Sequence, residues 1–346
     1  MTRSRRARRL PRRALAAAVG ALALLALLVV FPGASARFTA VTANPAGAWA
    51  TGDVAAPTGL TAVQTCTRTS ITFRGATHRT SQSPLTLSPP GTTQVGDLLV
   101  AQVAYYGAST ISATSDWTHL LTDTSGGLVT SAVYYKFATG TDAVTFTRPE
   151  SSPGDMVGGI VAYGGVDRTS PVAASGRATG TGDTVTAPTV TTTVEDTVVL
   201  YLLAKRVAPF PTPGGLRELW KAPSDSEGVT AADESFVGPG TTPPRTFSLA
   251  GSTTEYVAQT IALRPVAPQV GAALSWTASP STWATGYRLE RSSGGTTEPL
   301  RSITPISTTS TTEGPLVNGT AYSFRLWAYR GTWTSTAVTA SLTPSC

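Results

Sequence analysis

The sequence is most informative at Leu316-Val317-Asn318-Gly319-Thr320-Ala321-Tyr322-Ser323-Phe324-Arg325-Leu326-Trp327-Ala328-Tyr329. The Asn-Gly pair predicts a tight turn, because both residue types tolerate the backbone angles that turns require. The seven residues that follow Tyr322 are mainly aromatic and apolar, as is typical of a β-strand. The stretch therefore predicts a turn that leads directly into a long strand.

Further strands are predicted on both sides of this stretch. Residues 273–277 alternate between apolar and polar types, and residues 286–291 place Tyr287, Leu289 and Arg291 on one face. Such alternation is the pattern of a half-buried strand. Residues 293–296 predict a turn, and residues 337–342 predict a last strand. The C-terminal 75 or so residues are thus predicted to form an all-β domain.

This part of the chain resembles a fibronectin type III domain. Trp276 matches the core tryptophan of the second strand, and Tyr287 matches the aromatic residue of the third. Leu316, Thr320 and Tyr322 match the corner at which a tyrosine hydroxyl bonds back to the backbone. The resemblance implies a sandwich of seven strands, and therefore a first strand ahead of residue 274.

That first strand is missing from its expected place in the sequence. Residues 264–268 contain two prolines and are a poor candidate, whereas residues 56–62 have strand-like alternation after Pro57. We therefore predict a split domain of residues 56–66 and 267–346, with residues 67–266 inserted, since exposed loop tips tolerate insertions. The alternative is a linear order in which residues 56–66 belong to a leader.

The two cysteines, Cys66 and Cys346, are predicted to form a disulfide bond. An even number of cysteines in an exported protein favours pairing. In a fibronectin-like sandwich the first and last strands end at the same pole, and Cys66 and Cys346 follow those strands. The alternative is a pair of free thiols.

The inserted residues 67–266 also predict strands separated by glycine, proline, aspartate and serine. Residues 97–106 are almost wholly apolar, which predicts a long buried strand. Many strands and no helical pattern predict a larger β-sandwich of jelly-roll type. The segments 95–100 and 161–167 resemble a sandwich module of secreted bacterial and phage structural proteins, which implies a fold but no single activity.

The N-terminus predicts export. Seven arginines precede an apolar run over residues 14–31, and Ala34-Ser35-Ala36 follows as a cleavage pattern. Residues 1–36 are thus a signal peptide or, in the alternative, a retained membrane anchor. Residues 37–55 read as a leader, and the segment 14–52 resembles the start of camelysin-type matrix proteins, which implies a secreted or cell-surface location.

Net charge argues against nucleic-acid binding. The chain has 26 basic and 20 acidic residues, but seven of the arginines lie in the signal segment, which has no acid. Cleavage leaves 19 basic residues against 20 acidic ones, so no basic excess remains to bind nucleic acid or anionic lipid. Membrane contact is expected only through residues 14–31, if they are retained.

No catalytic constellation is visible in the sequence. His78 and His119 are the only histidines, and neither has neighbours at metal-ligand spacing. Carboxylates occur mostly in turns, and nothing selects a pair with the geometry of a glycosidase. We therefore expect a non-enzymatic protein without a metal or cofactor; were it an enzyme, it would be a hydrolase of the glycosidase type.

Exposed aromatic residues are the candidates for ligand binding, because sugar rings stack on aromatic faces. The candidates are Tyr106, Trp117, Tyr134, Trp220, Trp283 and Trp333. They suggest a binding or adhesion module for a glycan or another surface polymer. The alternatives are a structural matrix protein and an accessory component of polysaccharide degradation.

Overall fold

The computed structural model describes residues 52–108, 110–140, 142–148 and 154–346. The predicted signal segment and residues 37–51 of the leader lie outside these ranges. The fold below is that of the unit Val54–Cys346, in which the described residues form β-strands and no α-helix. The predicted all-β class is therefore confirmed.

A three-stranded sheet joins the two ends of this unit. Strand β1 (Thr58–Thr67) pairs antiparallel with β18 (Gln269–Thr277), which also pairs with β22 (Ser310–Leu316). Ala62 lies opposite Leu274 in this register. The segment near residue 60 thus supplies the strand that is missing ahead of residue 274, as a fibronectin-like sandwich with a large insertion requires.

A second sheet packs against the first. Its main strands are β19 (Gly286–Ser293), β23 (Tyr322–Arg330) and β25 (Val338–Leu342), with the short strands β20 (Thr296–Thr297), β21 (Arg301–Ile303) and β24 (Trp333–Thr334) at its edges. Trp276 and Tyr287 meet edge to face between the sheets, with ring centroids 5.3 Å apart. The sandwich is therefore fibronectin-like in strand order as well as in core residues.

The turn before β23 has the corner geometry that the sequence predicted. The backbone amide of Val317 donates a hydrogen bond to the hydroxyl of Tyr322, at 3.0 Å. Gly319 has a φ of 74°, which is the left-handed region that favours glycine. The tyrosine thus fixes the chain at the entrance to β23.

The predicted disulfide bond between Cys66 and Cys346 is present, with Cα atoms 5.9 Å apart. It joins the end of β1 to the residues that follow β25. The side chain of Gln64 bonds to the backbone of Ser345, and Asn318 bonds to the backbone of Cys346. The C-terminus is therefore fixed to β1 by covalent and polar contacts together.

The first half of the insert forms one five-stranded sheet and one ribbon. Its strands are β2 (Thr72–Gln82), β3 (Leu85–Leu87), β4 (Leu98–Tyr106), β5 (Thr118–Ser125), β6 (Val129–Phe137), β7 (Val144–Phe146) and β8 (Asp155–Gly164). The sheet order is β2-β8-β4-β6-β5, and β3 pairs with β7 in the ribbon. The first and last strands of this half are therefore neighbours.

The second half repeats this strand order. Its strands are β9 (Val172–Gly182), β10 (Thr184–Ala187), β11 (Thr191–Thr192), β12 (Thr197–Arg206), β13 (Arg217–Pro223), β14 (Glu227–Phe236), β15 (Gly240–Thr241), β16 (Arg245–Ser248) and β17 (Thr254–Leu263). The sheet order is β9-β17-β12-β14-β13, with ribbons β10-β16 and β11-β15. The register irregularity at 119–121 in β5 recurs at 218–220 in β13. The insert thus consists of two successive halves with one topology, and the jelly-roll type stays a prediction.

The two five-stranded sheets face each other, and each also packs on its own ribbon. In β4, Leu98 and Val100 lie in the core between the sheets, whereas Leu99 and Ala101 lie in the core under the ribbon. The second half has its own ribbon core, which includes Val199. Both faces of the central strands are covered, which explains their unbroken apolar sequences.

Polar side chains also lie between the large sheets, and several of them bond to one another. Ser131 donates to Gln259, and the amide of Gln259 donates to Asp123 at 2.8 Å. Near the opposite edge, Asp233 accepts hydrogen bonds from Tyr163 and Arg217. These bonds offset the cost of burying polar groups and fix how the sheets are aligned.

Candidate functional site

Three of the six candidate aromatic residues are buried, which corrects the expectation that they bind a ligand. Trp117 and Tyr134 lie in the core between the first sheet and its ribbon, and Trp220 lies between the two large sheets. Trp220 is 2% exposed. Both faces of β6 are covered, so alternation brings neither face to solvent, whereas Trp220 lies on the side of the edge strand β13 that packs against the first sheet.

Tyr106 is exposed at the end of β4, where Tyr105 points into the core. The guanidinium of Arg206 lies 5.6 Å from the centroid of the Tyr106 ring, and Arg206 also approaches Glu255 at 3.9 Å. One face of the Tyr106 ring is therefore covered in part by an arginine that has a carboxylate partner. This position offers less free aromatic surface than the fibronectin-like domain does.

Trp283 and Trp333 form an exposed pair on the fibronectin-like domain. Their ring centroids are 6.4 Å apart and their planes are nearly perpendicular, at 88°. Trp283 follows β18 in a loop and Trp333 lies in β24; they are 38% and 63% exposed. Arg330 stacks over Trp283 at 5.6 Å and donates a hydrogen bond to its carbonyl oxygen. We call Trp283 and Trp333 the tryptophan pair.

Strand alternation places the arginine and aromatic residues of the outer face of the second sheet on the side of β23 opposite to Arg330 and Trp333. Arg288 stacks over Tyr329 at 4.8 Å, and Arg325 stacks over Trp327 at 5.9 Å. Arg288 lies opposite Trp327 in the register of β19 and β23. We call Arg288, Arg325, Trp327 and Tyr329 the outer-face cluster. A surface depression is lined by Arg288, Arg325, Trp327 and residues 334–337.

Sequence reasoning did not identify the outer-face cluster. The signal was present in β23, where Ser323, Arg325, Trp327 and Tyr329 alternate with the buried Phe324, Leu326 and Ala328. An arginine and two aromatic residues at every second position of one strand must share a face. The contribution of Arg288 depends on the pairing of β19 with β23, which the sequence alone does not give.

Three acidic residues of the insert are held in ion pairs. Asp233 pairs with Arg217, Glu234 with Arg245 and Asp116 with Lys136. Burial, above all, raises the pKa of Tyr163, and the negative charge of Asp233 adds to the shift. These groups are spread over both halves of the insert, and each has a structural contact that accounts for it.

The histidines and the carboxylates do not converge on one site. The ring of His119 bonds to Thr122 at 2.8 Å and packs on Tyr134. Among the residues that the structure describes, no three metal-ligating side chains cluster together. Within the same residues, no helix has the length and hydropathy needed to span a membrane.

Comparisons with known proteins give matches for this chain among solved structures and none among protein families or curated proteins. No protein-family model matches it, and no curated protein matches it. Among solved structures, a segment of two fibronectin type III domains from chicken tenascin is 16% identical, covering 47% of this chain and 99% of its own, with a TM-score of 0.20. Domains FN1–FN3 of chicken CNTN1 are 14% identical, covering 78% and 98%, with a TM-score of 0.19.

Domains A168–A170 of titin are 10% identical to this chain, covering 84% of it and 99% of their own length, with a TM-score of 0.18. TM-scores this low support no conclusion about the fold or the function of this protein. The fibronectin-like description therefore depends on the strand order, the contact of Trp276 with Tyr287, and the corner at Tyr322.

Proposed function

We propose that this protein is an exported, non-catalytic binding module, which holds a glycan or another surface polymer at the tryptophan pair. The export signal in residues 1–36 supports a secreted or cell-surface location. The observation that carries the proposal is the exposure of two indole rings, 6.4 Å apart, on a folded β-domain.

Exposed tryptophans at this spacing suit a sugar polymer for a physical reason. Sugar rings have apolar C–H faces, and an indole offers a large flat surface that costs little conformational entropy when it binds. Two perpendicular indoles contact two faces of a polymer at once. The donor groups of Arg330 lie beside them, where they can bind hydroxyl oxygens.

Affinity electrophoresis tests this proposal, with soluble polysaccharides cast into a native gel. We expect at least one polysaccharide to retard the protein, and we expect Trp283→Ala with Trp333→Ala to remove most of that retardation. Tyr106→Ala is the matched control, because it removes an exposed aromatic ring from the insert. Retardation that the double tryptophan variant leaves unchanged would overturn the proposal.

The same preparation separates the alternative functions. A matrix protein would assemble as its concentration rises, which light scattering detects. A component that degrades polysaccharide would release reducing sugar from the polymers in the gel. Assembly or sugar release that persists in the double tryptophan variant, without polymer retardation, would favour the corresponding alternative.

A further inference from the structure

The turn before β23 contains two neighbouring residues that can react with each other. Asparagine occurs in the chain as Asn44, which precedes a proline, and as Asn318, which precedes Gly319. A backbone nitrogen can attack the side-chain amide of the residue before it when it carries a hydrogen, which proline lacks. Glycine has no Cβ to hinder the approach. Asn318 is therefore the asparagine suited to deamidation by its own backbone.

Both reacting groups are held in hydrogen bonds. The amide nitrogen of Gly319 donates to the carbonyl oxygen of Pro344 at 2.8 Å. The side-chain oxygen of Asn318 accepts from the backbone nitrogen of Cys346 at 2.9 Å, and its side-chain nitrogen donates to the Cys346 carbonyl oxygen at 3.3 Å. We call residues 344–346 the tail segment. The nucleophile and its target are thus each bonded to the tail segment rather than to each other.

Two contacts with β1 hold the tail segment in place. Cys346 is bonded to Cys66 by the disulfide, and Gln64 exchanges two hydrogen bonds with the backbone of Ser345, at 2.9 and 3.1 Å. Asn318 and Ser345 are exposed, so water competes for these hydrogen bonds and each contributes little by itself. The disulfide is the contact that water cannot replace, and its loss should release the tail segment.

We propose that Asn318 is a deamidation site that the disulfide between Cys66 and Cys346 protects. A thiol reductant supplies two electrons and two protons, which break the S–S bond and leave two thiols. Once the tail segment is released, the Gly319 nitrogen forms a bond with Cγ of Asn318 and the C–N bond of the side-chain amide breaks. Ammonia leaves with the hydrogen of the Gly319 nitrogen, and one water opens the cyclic imide to aspartate or isoaspartate.

The product cannot restore the original contacts. An ionised aspartate at this position has no N–H group to donate to the Cys346 carbonyl oxygen. Isoaspartate adds a methylene group to the backbone of the turn that leads into β23. Reduction of a disulfide is reversible, whereas this reaction is not. Deamidation at Asn318 therefore converts a temporary loss of the disulfide into a permanent change of the fibronectin-like domain, whichever ligand the protein binds.

Peptide mapping by mass spectrometry tests the proposal, on protein incubated at mildly alkaline pH with and without dithiothreitol. We expect the peptide that contains Asn318 to deamidate about tenfold faster with reductant, because one hydrogen bond of ordinary strength corresponds to about that factor in the population of the open form. Cys66→Ser with Cys346→Ser should react at the faster rate without reductant. Asn318→Gln should not react on this timescale in either state, since its longer side chain would have to close a larger ring.

Leu289→Ala is the matched control, because Leu289 lies in the core of the same domain and its truncation weakens the fold without removing the disulfide. Ile303→Val, a milder truncation in that core, replaces it if Leu289→Ala does not fold. We expect the control to deamidate as slowly as oxidised wild type. A control that reacts as fast as the reduced protein would overturn the proposal, because general unfolding would then explain the rate. Equal rates in oxidised and reduced wild type would also overturn it.

Discussion

The disulfide between Cys66 and Cys346 is expected to carry much of the stability of the fibronectin-like domain. The two cysteines are 280 residues apart in sequence. In the chain-entropy model, a loop of this length reduces the entropy of the unfolded chain by an amount equivalent to about 5–6 kcal/mol. Replacing both residues, Cys66→Ser with Cys346→Ser, removes that constraint without leaving a reactive thiol.

The structure allows a second value for this free energy, for the case in which the fibronectin-like domain alone unfolds. Gly165 lies beside both ends of the insert, because the amide of Val266 donates to its carbonyl oxygen at 3.0 Å and a Cβ added at Gly165 would lie 2.6 Å from the carbonyl oxygen of Ser70. If the insert stays folded while the fibronectin-like domain unfolds, the flexible loop is about 85 residues rather than 280. The expected loss is then about 4–5 kcal/mol, and it falls on one domain.

Hydrogen exchange measured by mass spectrometry distinguishes the two cases, because peptides from β18 and β23 report the fibronectin-like domain and peptides from β4 and β12 report the insert. We expect the double serine variant to lose protection in β18 and β23 and to keep it in β4 and β12. Wild-type protein treated with a reductant should behave in the same way. A loss below about 1 kcal/mol in β18 and β23 would refute the reasoning, because the link would then constrain little.

Two further predictions concern the insert. Burial raises the pKa of Glu227 to about 7, although the Ser224 hydroxyl donates to it at 3.0 Å. The folded state then keeps a proton that the unfolded chain has lost, so stability should fall by up to about 3 kcal/mol as pH rises from about 4.5 to about 7. The free energy of unfolding, measured with urea across this pH range, should fall in wild type and stay constant in Glu227→Gln. The same dependence of that free energy on pH in both proteins would contradict the prediction. Gly159→Ala should destabilise the protein by about 1–3 kcal/mol or more, since the added Cβ would lie 2.3 Å from the Trp220 ring. Thermal unfolding checks this against Gly238→Ala, which meets no atom within 4 Å, and similar midpoints for the two variants would refute it.

The fibronectin-like domain could be predicted well because its signals are local. The Asn318-Gly319 turn, the position of Tyr322 and the aromatic residues at 276 and 287 each depend on a few neighbouring residues. Even the pairing of β1 with β18 could be inferred, because the domain lacked one strand and residues 56–62 offered it. Cysteine parity then pointed to the bond between Cys66 and Cys346.

The candidate site could be predicted only in part. Trp283 and Trp333 are exposed, but Trp117, Tyr134 and Trp220 are core residues. Alternation in a strand tells which residues share a face, and it does not tell whether another layer covers that face. In the insert every central strand lies between a ribbon and a facing sheet, so residues on both of its faces are buried.

The sequence by itself determined the all-β class, the extra strand near residue 60 and the pairing of the cysteines, and it predicts an export signal. Only the tertiary structure revealed the repeated strand order of the insert and the stacking of Arg288 and Arg325 over aromatic rings. The physical reason is range: turns and alternation are properties of short segments, and cysteine parity is a count that needs no spatial information. Strand order and the assembly of a surface depend on hydrogen bonds between strands that lie far apart in the chain.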